Sequence, residues 1–419
     1  MKKKKADIVI VGASELITVP NTEGRPKIKN EMNDLGIIKE GALAIKDGLI
    51  ADVGTTENLL KKWHFDFGID ARDKVVMPGF VDCHTHSLFA GSREEEFAQK
   101  ISGVNYLNIL EKGGGILKTV GETRDASKDS LSRDLFLRMK KFLENGTTTV
   151  EVKSGYTLSC QEIDMLDIVA RTRSSADFVA GVMPDIIPTF LGAHVFPKDQ
   201  PETLYMEDLM WMIGEVSSKK LAEYCDVFCD NGAFRLKDTQ AVLRRAQECG
   251  IKIKMHVGQF GNFGGVQLGL SHRATSLDHL ENIRNEEIVA LAKSETIGVL
   301  LPACSFHLMT NHYAPARKMI DAGVRVALAT DFNPGSAPTM SMQMVIALAC
   351  RQMKMTPAES ITASTINSAY AIDMAGKVGS LEIGKQADII ILDIQNHLQL
   401  PYWFGENLTS ATIKKGKIV

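Results

Sequence analysis

Four residues of metal-binding type stand along this 419-residue chain in a telling order: His84 and His86, then His256, then Asp331. In an extended strand, residues i and i+2 share a face about 7 Å apart, so the two imidazoles of His84-Thr85-His86 can reach one cation. Alone, a His-x-His pair is a weak signal, since many such pairs are surface or core histidines. His256 could equally be a satisfied core histidine, Asp331 a helix N-cap, and His279 a packing residue. The order of all of them, each closing an apolar run, carries the metal reading.

Three neutral imidazoles and one carboxylate suit zinc or iron, one divalent or trivalent ion per subunit, with a position left for water. The pKa of such a water would fall toward about 7. Asp331 is then the natural proton acceptor. His279, in Leu277-Asp278-His279-Leu280-Glu281, is better placed as an outer partner that orients the water or polarises the substrate.

Eight short apolar runs must position these residues. They are Phe80–His86, Thr147–Lys153, Asp185–His194, Tyr224–Asp230, Ile251–Val257, Ser276–Leu280, Ile297–Pro302 and Val324–Asp331. Amphipathic stretches separate most of them, clearest over Asp134–Glu144, Thr239–Gly250 and Glu286–Ser294. Strand–helix alternation repeated eight times predicts an α/β fold, a (β/α)₈ TIM-like barrel; a doubly wound open sheet is the alternative. His84, His86, Lys153, His194, Asp230, His256, His279 and Asp331 all fall at C-terminal strand ends, the face that carries the active site in such barrels.

Both chain ends have a different texture. Asp7–Val11, Glu40–Lys46, Leu49–Val53, Ala387–Leu392 and Ala411–Ile418 read as short strands, with turns at Gly48, Gly54 and Lys415-Gly416-Lys417. We expect a small β-sandwich domain from residues 1–77 and 380–419, and a catalytic barrel over 78–379.

Bulk properties exclude several classes. A net charge of −3 offers no basic field for nucleic acid, and no run of about 18 apolar residues suits a membrane. Met1-Lys2-Lys3-Lys4-Lys5 reads as a solvated tail before a first strand rather than a signal peptide, because Asp7, Ser14 and Glu15 interrupt the apolar stretch behind it. Seven scattered cysteines without a CxxC pair fit reduced thiols in the cytoplasm, with Cys225 and Cys229 as core residues. Gly113–Gly115 lacks the Lys-Ser/Thr of a phosphate loop and reads as a turn before a helix.

The motif Pro78-Gly79-Phe80-Val81-Asp82-Cys83-His84-Thr85-His86 resembles the amidohydrolase superfamily. Within it the chain is similar over nearly its whole length to the imidazolonepropionase family. The carrying motifs are Leu88–Arg93, Gly113–Ile116, Glu151–Tyr156, Thr189–His194, Asp278–Glu281, Ala329–Ser336 and Gly379–Asp388. The resemblance implies hydrolysis of 4-imidazolone-5-propanoate to N-formimino-L-glutamate by opening a cyclic C–N bond. It implies substrate contacts from Arg93, Tyr156, His194, Gln259, Asn333, Gly335 and Ser336. Their chemistry suits that role: a guanidinium fork for the propanoate, a phenol, an imidazole, amides, a backbone N–H and a hydroxyl.

Surface ion pairing with Glu94-Glu95-Glu96 is the alternative for Arg93, and plain packing for Tyr156. Two positions depart from the family: Gly258 where an acidic residue is expected, and Asp230 where glutamate is usual. Some relatives bridge two metals through a modified lysine on strand four; Tyr224–Asp230 has no lysine, so one metal is expected. Relatives also suggest a homodimer acting on a small molecule. Another deaminase or cyclic amidase of the superfamily is the first alternative; a non-catalytic barrel used as a scaffold is the second.

Overall fold

The computed structural model describes residues 3–103 and 114–419, so Gly113, part of the expected glycine turn, lies outside the described residues, as do Met1 and Lys2. Eight parallel strands form the central sheet: β1 Phe80–Asp82, β2 Thr147–Lys153, β3 Asp185–Ala193, β4 Tyr224–Cys229, β5 Lys252–Val257, β6 Ser276–His279, β7 Ile297–Leu300 and β8 Arg325–Leu328. Each pairs with its sequence neighbour, in the order β8-β7-β6-β5-β4-β3-β2-β1. All eight runs read from the sequence are strands, and the barrel expectation is met.

No ladder joins β1 to β8; the closure is made just beyond their ends. Thr85 bridges Phe332 in parallel register. Asp331 N–H donates to the His84 carbonyl (3.0 Å) and His86 N–H to the Phe332 carbonyl (2.9 Å). Deeper, the Asp82 carboxylate accepts the Thr330 N–H (3.1 Å) and hydroxyl (2.5 Å). The strands at this seam are therefore shorter than the sequence suggests. His84, His86 and Asp331 lie past them, and Asp331 has a left-handed φ of 56°, which no strand accommodates.

Outer helices such as Lys128–Glu144, Glu202–Ser218 and Leu236–Glu248 bury one stripe each. In Leu236–Glu248 the buried positions are Thr239, Val242, Leu243 and Ala246, the i, i+3, i+4, i+7 spacing of one helical face. Burying a Val or Leu side chain contributes about 1.5–3 kcal/mol, so each stripe anchors its helix to the barrel.

The chain ends build two further sheets. One runs Leu49–Thr55, Gly41–Lys46, Lys4–Ala13, Trp63–Asp70; the other runs Lys417–Ile418, Thr409–Lys414, Ile389–Leu392, Val75–Pro78, Glu15–Ile17, Ile37–Ile38. A common core joins them, with Ile10, Leu43 and Ile45 of the first against Leu16, Val76, Ile389 and Ile413 of the second. Val75–Pro78 leads straight into β1 across Gly79. A Cβ there would lie 2.4 Å from the Thr148 side chain, so only glycine lets β1 lie against β2.

Candidate metal centre and active site

The barrel lumen is set by strand alternation. On β5, Lys254 and His256 share the inward face, and on β2 Glu151 and Lys153 do. All four are buried. At the C-terminal mouth three imidazoles converge: His86 Nε2 lies 3.3 Å from His84 Nε2 and 3.3 Å from His256 Nε2. Asp331 Oδ1 lies 3.4 Å from both His84 Nε2 and His86 Nε2. Ligands at about 2.1 Å from one tetrahedral cation stand ~3.4 Å apart, so these four spacings suit a shared ion. The donor atoms of His84, His86 and His256, and those of His84, His279 and Asp331, form two overlapping groups within 4.8 Å.

The outer nitrogens fix which lone pairs face inward. His84 Nδ1 meets Asp278 Oδ2 at 2.6 Å and His256 Nδ1 meets Asp226 Oδ1 at 3.1 Å. With the Nδ1 protons given to carboxylates, unprotonated Nε2 atoms point at one another and at a carboxylate, an arrangement that repels itself unless a cation sits between. The donor set fits one metal ion. Burial pushes His256 down, against the pull of Asp226, to about 3, and pushes His86 well below the ordinary histidine range. Burial and Lys153 lower His84 too, yet Asp278 and Asp331 carry it above its usual value; the same negative field would hold a cation.

Beneath the imidazoles lies a chain of buried charges. Lys153 Nζ pairs with Asp226 (2.7 Å) and Glu151 (2.9 Å), and Lys254 Nζ pairs with Glu151 (3.0 Å) and the Cys83 carbonyl (2.8 Å). Lys153 is thus a lumen ion-pair residue rather than a metal bridge. With Asp278 and Asp331 also buried nearby, the carboxylates of this region outnumber Lys153 and Lys254, an excess of negative charge that a cation would offset.

The other expected residues surround this centre. His279 is buried with its ring 5.4 Å from His256 and 5.9 Å from His84, and its Nδ1 lies 3.6 Å from Glu281 Oε1. Burial lowers its pKa but Glu281 outweighs it, and the group is pushed up to about 9. The His194 ring stacks on His86 at 5.3 Å, and its Nδ1 donates to the Gly155 carbonyl at 3.0 Å. Tyr156 is buried 5.9 Å from the His86 ring; burial and Asp331 raise its pKa.

Arg93 is no surface ion pair. Its Nε (3.0 Å) and Nη2 (2.9 Å) hold buried Glu96, and a Cβ built on Gly335 would lie 2.0 Å from its Nη1. The Arg93 guanidinium and the Asn333–Ser336 loop are therefore in contact. Within that loop Asn333 is fully engaged: Oδ1 accepts from Gly335 N–H (2.8 Å) and Ser336 N–H (2.7 Å), while Nδ2 donates to the Asp331 carbonyl (2.6 Å) and Ser336 Oγ (2.9 Å). Gln259 Nε2 donates to Cys304 Sγ at 3.2 Å.

The two departures have structural causes. Gly258 has φ 72°, which favours glycine. Asp230 Oδ2 accepts the N–H groups of Gln259 (2.7 Å) and Phe260 (3.1 Å), a reach that suits the shorter side chain.

Sequence reasoning did not single out Asp226, Asp278, Glu151 and Lys254. Each is a charged residue inside an apolar strand, and that mismatch was the available signal.

The amidohydrolase family model matches residues 75–419. The chain is 41% identical to an imidazolonepropionase of Geobacillus sp. strain WCH70 over 420 residues, covering 98% of this chain and 97% of that protein. It is 42% identical to one of Parabacteroides distasonis over 423 residues, 99% of each. Among solved structures, an adenosine deaminase from Xanthomonas campestris with bound zinc superposes with TM-score 0.73 at 18% identity, over 100% of this chain and 93% of that one. Atrazine chlorohydrolase TrzN from Arthrobacter aurescens, complexed with zinc, gives 0.70 at 15% identity, over 98% and 94%. At those identities the two structures speak to the fold alone.

Proposed function

The chain belongs to the amidohydrolase family, within it to the imidazolonepropionases, and from this we propose that it hydrolyses the cyclic C–N bond of 4-imidazolone-5-propanoate. The product is N-formimino-L-glutamate, in histidine degradation. The observation that carries the reading is the convergence of His84, His86 and His256 Nε2 with Asp331 Oδ1 at 3.3–3.4 Å spacings. These four residues would hold one zinc or iron ion, whose Lewis acidity would activate a water and polarise the ring carbonyl.

The chain's own groups do the rest. Asp331, kept ionised by contact with His84 and His86, accepts the proton of the attacking water. His279, whose ring nitrogen lies within 4.8 Å of ligand atoms of His84 and Asp331, steadies charge developing on the carbonyl oxygen. Arg93 keeps Nη1 clear of partners among the described residues, beside Gly335, and receives the propanoate carboxylate there. Tyr156, His194 and Gln259 line the ring's path, and Asn333 shapes the loop that presents Gly335 and Ser336. Buried imidazole and phenol walls exclude bulk water around the reacting bond.

On the same reading, residues 1–77 with 380–419 form the accessory β domain and 78–379 the catalytic one. The enzyme works as a cytoplasmic homodimer; light scattering of the purified chain tests the assembly. No helix among the described residues is long and apolar enough to cross a membrane.

The deciding experiment measures consumption of 4-imidazolone-5-propanoate and metal content on one sample. Turnover with about one metal per chain supports the proposal. A metal-loaded protein that leaves this substrate untouched refutes the assigned substrate while keeping the family.

A further inference from the structure

The chain bends abruptly where β6 ends. His279 and Leu280 are successive non-glycine residues with left-handed φ angles of 81° and 68°. Leu280 N–H donates to the Val257 carbonyl (3.0 Å) and Asn282 N–H to the Gly258 carbonyl (2.8 Å), which holds the bend against its strain. Its result is to fold Glu281 back on the residue two positions earlier. Glu281 Oε1 lies 3.6 Å from His279 Nδ1, both side chains buried.

Ordinary structural roles do not account for this carboxylate. Among the described residues no lysine or arginine pairs with it; its other contact is a 3.4 Å hydrogen bond from Ser305 Oγ. The next helix, Asn285–Ala292, takes its capping carboxylate from Glu287. Glu281 Oε2 and His279 Nδ1 are both buried without a hydrogen-bond partner. A buried carboxylate without a neutralising cation is costly, so its retention next to one imidazole points to that imidazole.

We propose that Glu281 is a positioning residue for His279: it accepts the Nδ1 proton, fixes the ring's tautomer and rotation, and leaves Nε2 to act in the cavity. The role holds in either charge state of the ring, because Nδ1 is the donor in both. Hydrogen bonds of this kind are often long in the empty enzyme and shorten when substrate is bound. The effect on turnover rests on the ring-opening reading above; the pairing itself does not.

The test uses the metal-loaded full chain with Glu281→Ala, Glu281→Gln, His279→Ala and the His279→Ala/Glu281→Ala double variant. If the alanine variant does not fold, Glu281→Met takes its place. Partners of this type typically govern ~10–100-fold in activity, so Glu281→Ala lowers kcat by that much with KM within about threefold. Glu281→Gln, which keeps an acceptor oxygen, restores most of it. In the His279→Ala background the Glu281 change adds nothing, and metal content stays constant throughout.

A second readout needs no substrate. In ¹⁵N-histidine spectra recorded at a pH where the ring is neutral, His279 carries its proton on Nδ1 in the wild type and in Glu281→Gln, and loses that preference in Glu281→Ala. Should the wild type fail to open the imidazolone ring, the assigned function falls and the spectra alone judge the pairing. Full kcat in Glu281→Ala, effects that multiply in the double variant, loss that tracks metal content, or an unchanged His279 tautomer each overturn the proposal.

Discussion

Replacing Asp278 with Asn tests the metal centre at a residue that touches no metal. Asp278 is buried, its Oδ2 2.6 Å from His84 Nδ1, and its other oxygen has no partner. Burial alone would raise its pKa, but Lys254 and His84 hold it well below the usual carboxylate range, so the group is ionised at neutrality. Asparagine preserves shape and an acceptor oxygen and removes only the charge. A hydrogen bond to a charged group contributes about 1.5–3 kcal/mol, and outer partners of metal-binding histidines change metal affinity ~10–100-fold, equivalent to about 1.4–2.7 kcal/mol. Both routes meet near ~2 kcal/mol, or roughly 30-fold. Competition against a chelating indicator at fixed pH measures it, with Asp393→Asn, a change at a surface ion pair with Lys74, as control. An Asp278→Asn affinity indistinguishable from the control would refute the idea that carboxylates aim these imidazoles.

Arg93→Lys keeps the charge and loses the fork; KM for the propanoate substrate should rise roughly tenfold or more with kcat nearly unchanged, and a pure kcat effect would contradict the assigned role. Lys153→Met strands the buried Asp226 and Glu151 carboxylates and should destabilise the fold by about 3–5 kcal/mol in urea titrations; a loss under ~1 kcal/mol would show that the lumen tolerates them. His279, raised to about 9 by Glu281 against burial, contributes stability that is complete below about 6.5 and lost as pH rises toward 9. In metal-stripped protein the stability gap between wild type and His279→Gln should therefore shrink by up to ~3 kcal/mol from pH 6 to 9.5; a gap that widens reverses the sign and rejects the assignment.

The strands were legible because each is a short apolar run ending in a polar residue, and the candidate metal-binding residues because they sit at those ends. Boundaries at the β1–β8 seam were not legible: the sequence continues apolar through Ala329, while the left-handed backbone at Asp331 ends the extended chain. Trp63–Asp70 escaped notice since Trp63 alone of its residues is buried, which gives no alternation to read. Asp226, Asp278 and Lys254 were hidden for a different reason. Barrel strands are buried on both faces, so pattern alone does not distinguish the lumen side from the helix side. The family resemblance implied Asn333 as a substrate contact; its side chain is hydrogen-bonded within the loop, a competition that only geometry reveals.

The lumen charges also bear on how the site would hold an ion. Asp278 and Asp226 aim two imidazoles, and they do so most strongly while ionised. Lys153 keeps Asp226 ionised, Glu151 bridges Lys153 to Lys254, and Lys254 helps hold Asp278. The lysines therefore act through the carboxylates rather than on substrate. The carboxylates of this network outnumber its two ammonium groups, which leaves an excess of buried negative charge. A cation at the mouth would offset that excess. The residues that aim the imidazoles thereby also supply the negative field that would hold a cation at the mouth.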